Sequence, residues 1–288
     1  MGGRIFIVSK HCPANMMSLA QLAHRENDCP VCYTVLTICR STKKENAPMR
    51  IASRSALPVA LILALMCVCA APAAHPAFIA PGDIDMKALL IGPPDDNSAE
   101  HRQEVDAVLR YQESRTPEDV QRCKDEEEVT VFAFANVLGP WFNEKDLPIT
   151  GELMKDVYKQ AKDVSAAAKK QWNRMRPPLA DARIKPCVKL ESTPSFPSGH
   201  ATRGMAWAVL LAEIFPDKRD AIMARGRQIG EDRVIGGMHY PTDVAAGQKL
   251  GAEFSKRLLA IDAFRAELDK AKAECLAAQK GLEAKKAQ

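Results

Sequence analysis

Pro197-Ser198-Gly199-His200 opens the run Ala201-Thr202-Arg203-Gly204-Met205-Ala206-Trp207-Ala208-Val209-Leu210-Leu211-Ala212-Glu213-Ile214, and Phe215-Pro216 closes it. A hydroxyl cap at one end and a proline at the other bound a helix. Only Arg203 and Glu213 carry a full charge in it, so the helix has almost no polar face and belongs in the middle of a core. A central helix of this kind needs further helices around it.

Working outward, the flanking sequence supplies them. Thr150 to about Met175 reads as a helix stopped by Pro177-Pro178, and segments near 217–234 and 242–282 read as two more. The last of these carries Phe264, Leu268, Ala271 and Cys275 on one stripe. Upstream, helices begin at about residue 99, and Thr116-Pro117-Glu118-Asp119 is a well-formed helix start with proline in the first turn. The run Asp125 to Glu128 is expected on a solvated face of that helix. Val129 to Leu138 is ambiguous by periodicity and is read as helix because its neighbours are helical. No run alternates like a strand, so the expected fold class is all-α, a single helical-bundle domain over residues 99–288 with a helical C-terminal tail.

Ahead of this body, residues 74–98 contain four prolines from Pro76 to Pro94 and read as an extended arm lying on the domain. Residues 49–73 follow the plan of a signal peptide, with Met49, then Arg50 and Arg54, the uncharged stretch Ala56 to Ala71, and a small-x-small site at Ala71-Pro72-Ala73. Pro58 and Pro72 interrupt a stretch that would otherwise approach the ~20 residues needed to span a bilayer. A periplasmic or secreted location and no stable membrane span in the mature chain are therefore expected. Residues 1–48 read as a leader or a misassigned N-terminal extension; Cys29, Cys32, Cys39 and His24 lack the second paired half of a zinc site.

Composition is that of an ordinary globular protein, with 47% hydrophobic and 26% charged residues among 288. The formal net charge of +4 is spread among interleaved acids and bases, which excludes a dedicated nucleic-acid binder while suiting a small anionic substrate. Cys123, Cys187 and Cys275 are the cysteines of the body; an odd number allows at most one bridge, whose pairing is open.

The chemistry-bearing residues converge in two segments. Four of the six histidines fall early, at 11, 24, 75 and 101, and the remaining two lie inside Pro197–His200 and Arg233–Asp243. In the first, Ser198 and Gly199 offer a hydroxyl and a close backbone approach at a helix N-terminus, which favours an anion, although a helix cap alone explains the serine. In the second, Asp243 stands four residues after His239 near a helix start that Pro241 opens. Its carboxylate can take the proton-bearing ring nitrogen and leave the other as a nucleophile. Gly236 and Gly237 are expected to allow a tight approach to the pocket. Lys169 and Arg176 are seven apart on an expected helix, two turns and about 10 Å along its axis, and can converge on one anion.

Lys169-x6-Arg176-Pro177, then Pro197-Ser198-Gly199-His200, then Arg233-x5-His239-x3-Asp243 resembles the three-part signature of the type 2 phosphatidic acid phosphatase superfamily. The resemblance covers roughly residues 85–260 and is greatest to the bacterial class A nonspecific acid phosphatases. It implies a metal-independent acid phosphatase acting on soluble phosphomonoesters. Lys169, Arg176, Ser198, Gly199 and Arg233 would hold the phosphoryl group. His239 would form a phosphohistidine, Asp243 would orient it, and His200 would serve as the acid. No cofactor and no metal are expected. The same pocket type also occurs in vanadate-dependent haloperoxidases, and a secreted phosphate-binding protein with an inactive site is a further alternative. One residue departs from the pattern: Asp232 stands where a serine is common, and it is expected either to pair with Arg233 or to face solvent.

Overall fold

The structure is a computed structural model in which residues 77–286 are described. The expected signal peptide at 49–73, the leader at 1–48 with Cys29, Cys32, Cys39 and His24, and the first residues of the arm lie outside the described residues. Seven long helices follow in order: α1 (Ala99–Ser114), α2 (Pro117–Asp125), α3 (Pro148–Trp172), α4 (Gly199–Ile214), α5 (Arg219–Ile235), α6 (Pro241–Leu259) and α7 (Asp262–Lys286). Shorter helical turns join them, and no strand occurs among the described residues, so the fold is all-α. No described helix is long and apolar enough to cross a membrane.

Helix α4 is the apolar run on which the sequence reading turns, and it packs mainly on α5 and α6, with α3 on a third side. Only Gly199, Val209 and Glu213 of its sixteen residues escape full burial. The contact with α6 is backbone to backbone: a Cβ on Gly247 would overlap the carbonyl of Ser198, and one on Gly251 would overlap that of Thr202. Glycines one helical turn apart on α6 thus let the two axes approach more closely than any side chain permits. Across the other face, Gly204 of α4 meets Gly226 of α5, where an added Cβ would lie 3.0 Å from the Gly226 carbonyl oxygen.

Several boundaries depart from the sequence reading. Helix α3 begins at Pro148 rather than Thr150, because α7 caps it. Glu274 accepts from the backbone N–H of Ile149 (2.9 Å) and of Thr150 (2.8 Å) and from the Thr150 hydroxyl (2.7 Å). A carboxylate from a distant helix therefore satisfies the free N–H groups and the positive end of α3. The segment 242–282 is two helices, broken at Ala260 and Ile261. The break turns the expected stripe of Phe264, Leu268, Ala271 and Cys275 into the core, where each is at most 6% exposed.

Val129 to Leu138 forms a 3₁₀ turn, Val131–Phe134, followed by a single α-turn, Ala135–Leu138, instead of one helix. The acidic run does not ride on α2, which ends at Asp125. Glu126 turns inward to a buried ion pair with Arg225, and burial pushes its carboxyl above the usual range. The stretch read as an extended arm contains short helices at Pro81–Asp83 and Met86–Leu89. It is tied down where the N–H groups of Phe78 and Ile79 share the Gln160 side-chain oxygen at 2.8 and 3.0 Å. Cys123, Cys187 and Cys275 are free thiols.

The α4–α6 contact makes a direct prediction. Gly251→Ala should lower unfolding free energy by about 1–3 kcal/mol, the usual cost of overpacking, measured by urea denaturation.

Candidate active site

The site is assembled around the start of α6. Pro241 sets the first turn, and Asp243 in that turn accepts from the Tyr240 N–H through Oδ2 (2.9 Å), fixing the carboxylate against the helix end. The same oxygen takes the Ser195 hydroxyl at 2.6 Å and lies 3.4 Å from His239 Nδ1, which is also 3.2 Å from Ser195 Oγ. On the opposite side of the imidazole, Arg176 Nη1 is 3.1 Å from His239 Nε2. A guanidinium only donates, so Nε2 accepts and carries a lone pair, which leaves the proton on Nδ1 facing Ser195 and Asp243. The expected pairing of Asp243 with His239 is thus present, with Ser195 inserted beside it.

The other oxygen of Asp243 is held by Arg174 Nη1 at 2.7 Å. Arg174 also reaches Glu104 at 2.6 Å, and its guanidinium carbon lies 3.9 Å from the centre of the Tyr240 ring. Glu104 in turn accepts the N–H of Thr242. This buried network joins α1, the end of α3 and the start of α6 behind the imidazole. Neither Arg174 nor Ser195 was singled out by sequence: an arginine just past a helix and a serine in a loop carry no pattern of their own.

Three cations face the imidazole from the other side. Helix α3 ends at Trp172, and Asn173 takes a left-handed conformation (φ 44°), so Lys169 lies in the last turn while Arg176 precedes the short helix Pro177–Ala180. They are not two turns apart on one helix, because Asn173 and Pro177 end it, yet the turn still brings both to the site. Glu191 bridges Arg176 Nη2 (2.7 Å) and Arg233 Nη2 (2.8 Å). Lys169 is bound by the carbonyls of Pro194 and Ser195. Its burial and the neighbouring Arg176 pull its ammonium down to about 7. The Arg233–His239 connection is made by the end of α5. Gly237 (φ 76°) and Met238 donate back to Val234 and Arg233 in a Schellman turn, which returns the chain toward Arg233. A Cβ on Gly237 would meet Pro186 at 3.2 Å, so the Gly236-Gly237 pair shapes this turn rather than the pocket.

Ser198 is fully buried and caps α4 through the N–H of Ala201 (3.3 Å), with its own N–H donating to the carbonyl of Asp243 (2.9 Å). Gly199, His200, Lys169 and Arg233 line a cavity of about 470 Å³. His200 Nε2 lies 3.2 Å from the carbonyl of Glu127, which can only accept, so this nitrogen holds the proton. Burial, together with Arg233 and Arg203, holds the His200 imidazolium well below its usual range; burial, Arg176 and Lys169 do the same for His239. The result is a pair of neutral imidazoles in a field of cations, an arrangement suited to binding a multiply charged anion and to nucleophilic and proton-transfer chemistry on it.

Asp232 neither pairs with Arg233 nor faces solvent. It is 1% exposed and accepts two Arg122 nitrogens, Nε at 3.0 Å and Nη2 at 2.8 Å. Helix α2 supplies that partner, which no local spacing around Asp232 reveals.

The profile of the PAP2 superfamily matches residues 160–264, a span that holds Lys169, Arg176, Ser198, Gly199, His200, Arg233, His239 and Asp243. A non-specific acid phosphatase of Salmonella typhimurium is 30% identical over 200 residues, covering 66% of this chain and 80% of that protein. A non-specific acid phosphatase of Providencia stuartii is 35% identical over 147 residues, covering 49% of this chain and 59% of its own length. Among solved structures, a bacterial vanadium-dependent iodoperoxidase superposes with a TM-score of 0.49 at 18% identity, over 61% of this chain and 53% of that one. The chain belongs to the PAP2 superfamily.

Two outcomes follow from the geometry. Arg174→Leu leaves Glu104 and Asp243 buried without their common cation and should cost about 3–5 kcal/mol of stability, read by urea denaturation. The depressed imidazoles give a second. Below about pH 6.5 the unfolded histidines take up protons that the folded ones exclude, so stability falls on acidification through that range. A His200→Asn, His239→Asn double variant should show a shallower fall of Tm between neutral pH and pH 5.

Proposed function

We propose that the protein is a secreted acid phosphatase that hydrolyses soluble phosphomonoesters without a metal, through a phosphohistidine intermediate. The observation that carries this reading is the His239 imidazole, with Nδ1 held by Ser195 and Asp243 and Nε2 left as an unprotonated nucleophile against Arg176. Kinship with non-specific acid phosphatases supports the reaction class.

On this reading the phosphoryl group displaces the Glu191 carboxylate from Arg176 and Arg233, since a dianion satisfies two guanidinium forks better than a single carboxylate does. Lys169 and the N-terminus of α4 at Gly199 complete the cradle, and Ser198 acts mainly by capping that helix. The bound dianion raises the proton affinity of Lys169 and both histidines by cancelling the cationic field around them. His239 Nε2 then attacks phosphorus, forming an N–P bond as the ester P–O bond breaks. Asp243 and Arg174 hold the imidazolium in place. His200 gives its proton to the leaving oxygen, then takes one from the water that cleaves the N–P bond and releases phosphate. Protonating His200 in this field favours acidic solution, consistent with an acid phosphatase. The inactive-binder alternative needs Asp232 to neutralise Arg233, and Asp232 is committed to Arg122 instead.

Leaving-group chemistry separates the roles. His239→Ala should abolish turnover of every phosphomonoester, with trapping of phosphate on the protein lost as well. His200→Asn should slow an alkyl phosphate about 10²–10⁴-fold but slow p-nitrophenyl phosphate far less, because that leaving group needs no proton. Exhaustive chelation should leave the wild-type rate unchanged; a loss restored by a divalent ion would overturn the metal-free mechanism, and halide oxidation after vanadate loading would point to a peroxidase.

A further inference from the structure

Arg203 has no part in the reaction sequence above. It lies on α4 four residues after Gly199 and three after His200, so the three share one face of the helix, with side chains about 5–6 Å apart at their bases. Arg203 is 8% exposed and borders the same cavity as Gly199 and His200. Its Nε and Nη2 have no hydrogen-bond partner among the described residues, and no carboxylate there forms an ion pair with it. What it touches is aromatic: the guanidinium carbon lies 5.1 Å from the centre of the Tyr158 ring.

A buried guanidinium with unsatisfied donors, in a helix with almost no polar face, is costly for folding and makes sense as a group awaiting a ligand. Arg176 and Arg233, by contrast, share the carboxylate of Glu191, although Arg233 Nε and Nη1 are likewise without a hydrogen-bond partner among the described residues. The charges near Arg203 also favour an anion. Lys162 and Lys189 border the cavity with it; of the three carboxylates there, Glu128 is exposed, Glu127 accepts the backbone N–H of Lys189 at 3.2 Å, and Glu191, which also attracts Arg203, is ion-paired with Arg176 and Arg233.

We propose that Arg203, backed by Tyr158, forms a second anion subsite one helical turn from the phosphoryl cradle, and that it selects phosphomonoesters whose leaving group carries a further phosphate or carboxylate. The subsite rests on the phosphoryl cradle of the proposed function. The guanidinium donates to the second anion, and the Tyr158 ring covers its face. Selectivity among phosphomonoesters then depends on charge near the ester as well as on the ester itself.

Binding and turnover test it separately. Calorimetry should show pyrophosphate binding at least about tenfold tighter than orthophosphate, the scale of one charge-assisted interaction. Arg203→Met should collapse that ratio toward one, and Arg203→Lys should keep most of it. Because Arg203→Met removes an uncompensated buried charge, its Tm should equal or exceed that of the wild type. In turnover, kcat/KM for 3-carboxyphenyl phosphate should exceed that for phenyl phosphate and lose its advantage in Arg203→Met. A carboxylate effect without a pyrophosphate effect, or the reverse, identifies which anion the subsite takes. Equal weakening of pyrophosphate and orthophosphate in Arg203→Met, or no wild-type preference for either two-anion ligand, overturns the subsite. Failure to turn over phenyl phosphate, with the two-anion binding preference intact, overturns the phosphatase reading instead.

Discussion

The site depends on Asp243 more than on any other residue. One oxygen of its carboxylate gathers the Tyr240 N–H, the Ser195 hydroxyl and His239 Nδ1, the other takes Arg174, and its backbone carbonyl receives the N–H of Ser198. Through this residue the start of α6, the loop before α4, the N-terminus of α4 and the end of α3 are held to one another. The carboxylate is fully buried, so each of these contacts also compensates a desolvation cost that would otherwise oppose folding. Orientation of the imidazole and integrity of the fold are therefore linked at the same atoms.

Charge is arranged in layers around that residue. Behind it, Arg174 and Glu104 form a closed, buried pair. In front, Lys169, Arg176 and Arg233 crowd the imidazole, balanced by the single carboxylate of Glu191. Burial first, and then mutual repulsion within this cluster, lower the proton affinity of Lys169 and of both histidines. An anion that enters relieves the repulsion, so affinity and protonation rise together. The same reasoning separates Asp232 from this cluster: paired with Arg122, it leaves Arg233 to the pocket.

Much of this was legible one segment at a time. The all-apolar character of Ala201 to Ile214 placed α4 at the centre, Thr116-Pro117 gave the start of α2, and the stripe of Phe264, Leu268, Ala271 and Cys275 was correct. The places where the reading failed share a cause. Thr150 does not start α3 because Glu274, more than a hundred residues away, supplies the cap. Glu126 is not solvated because Arg225 waits for it inside. Arg176 reaches His239 from a turn rather than from the helix, since the left-handed Asn173 ends α3 early.

The sequence by itself determined the helical class, the central helix and the candidate residues that the fold brings together, because periodicity, caps and short spacings are local properties. The pairing of Asp243 with His239 was readable for the same reason: four residues at a helix start leave little freedom. Only the tertiary structure decided the partners of the buried charges. It assigned Arg122 to Asp232, Arg174 to Asp243 and Glu191 to the two arginines of the pocket, and it left Arg203 without an ion-pair partner among the described residues. A buried charge takes whichever opposite charge the folded chain brings near, and that choice is made by packing between distant segments.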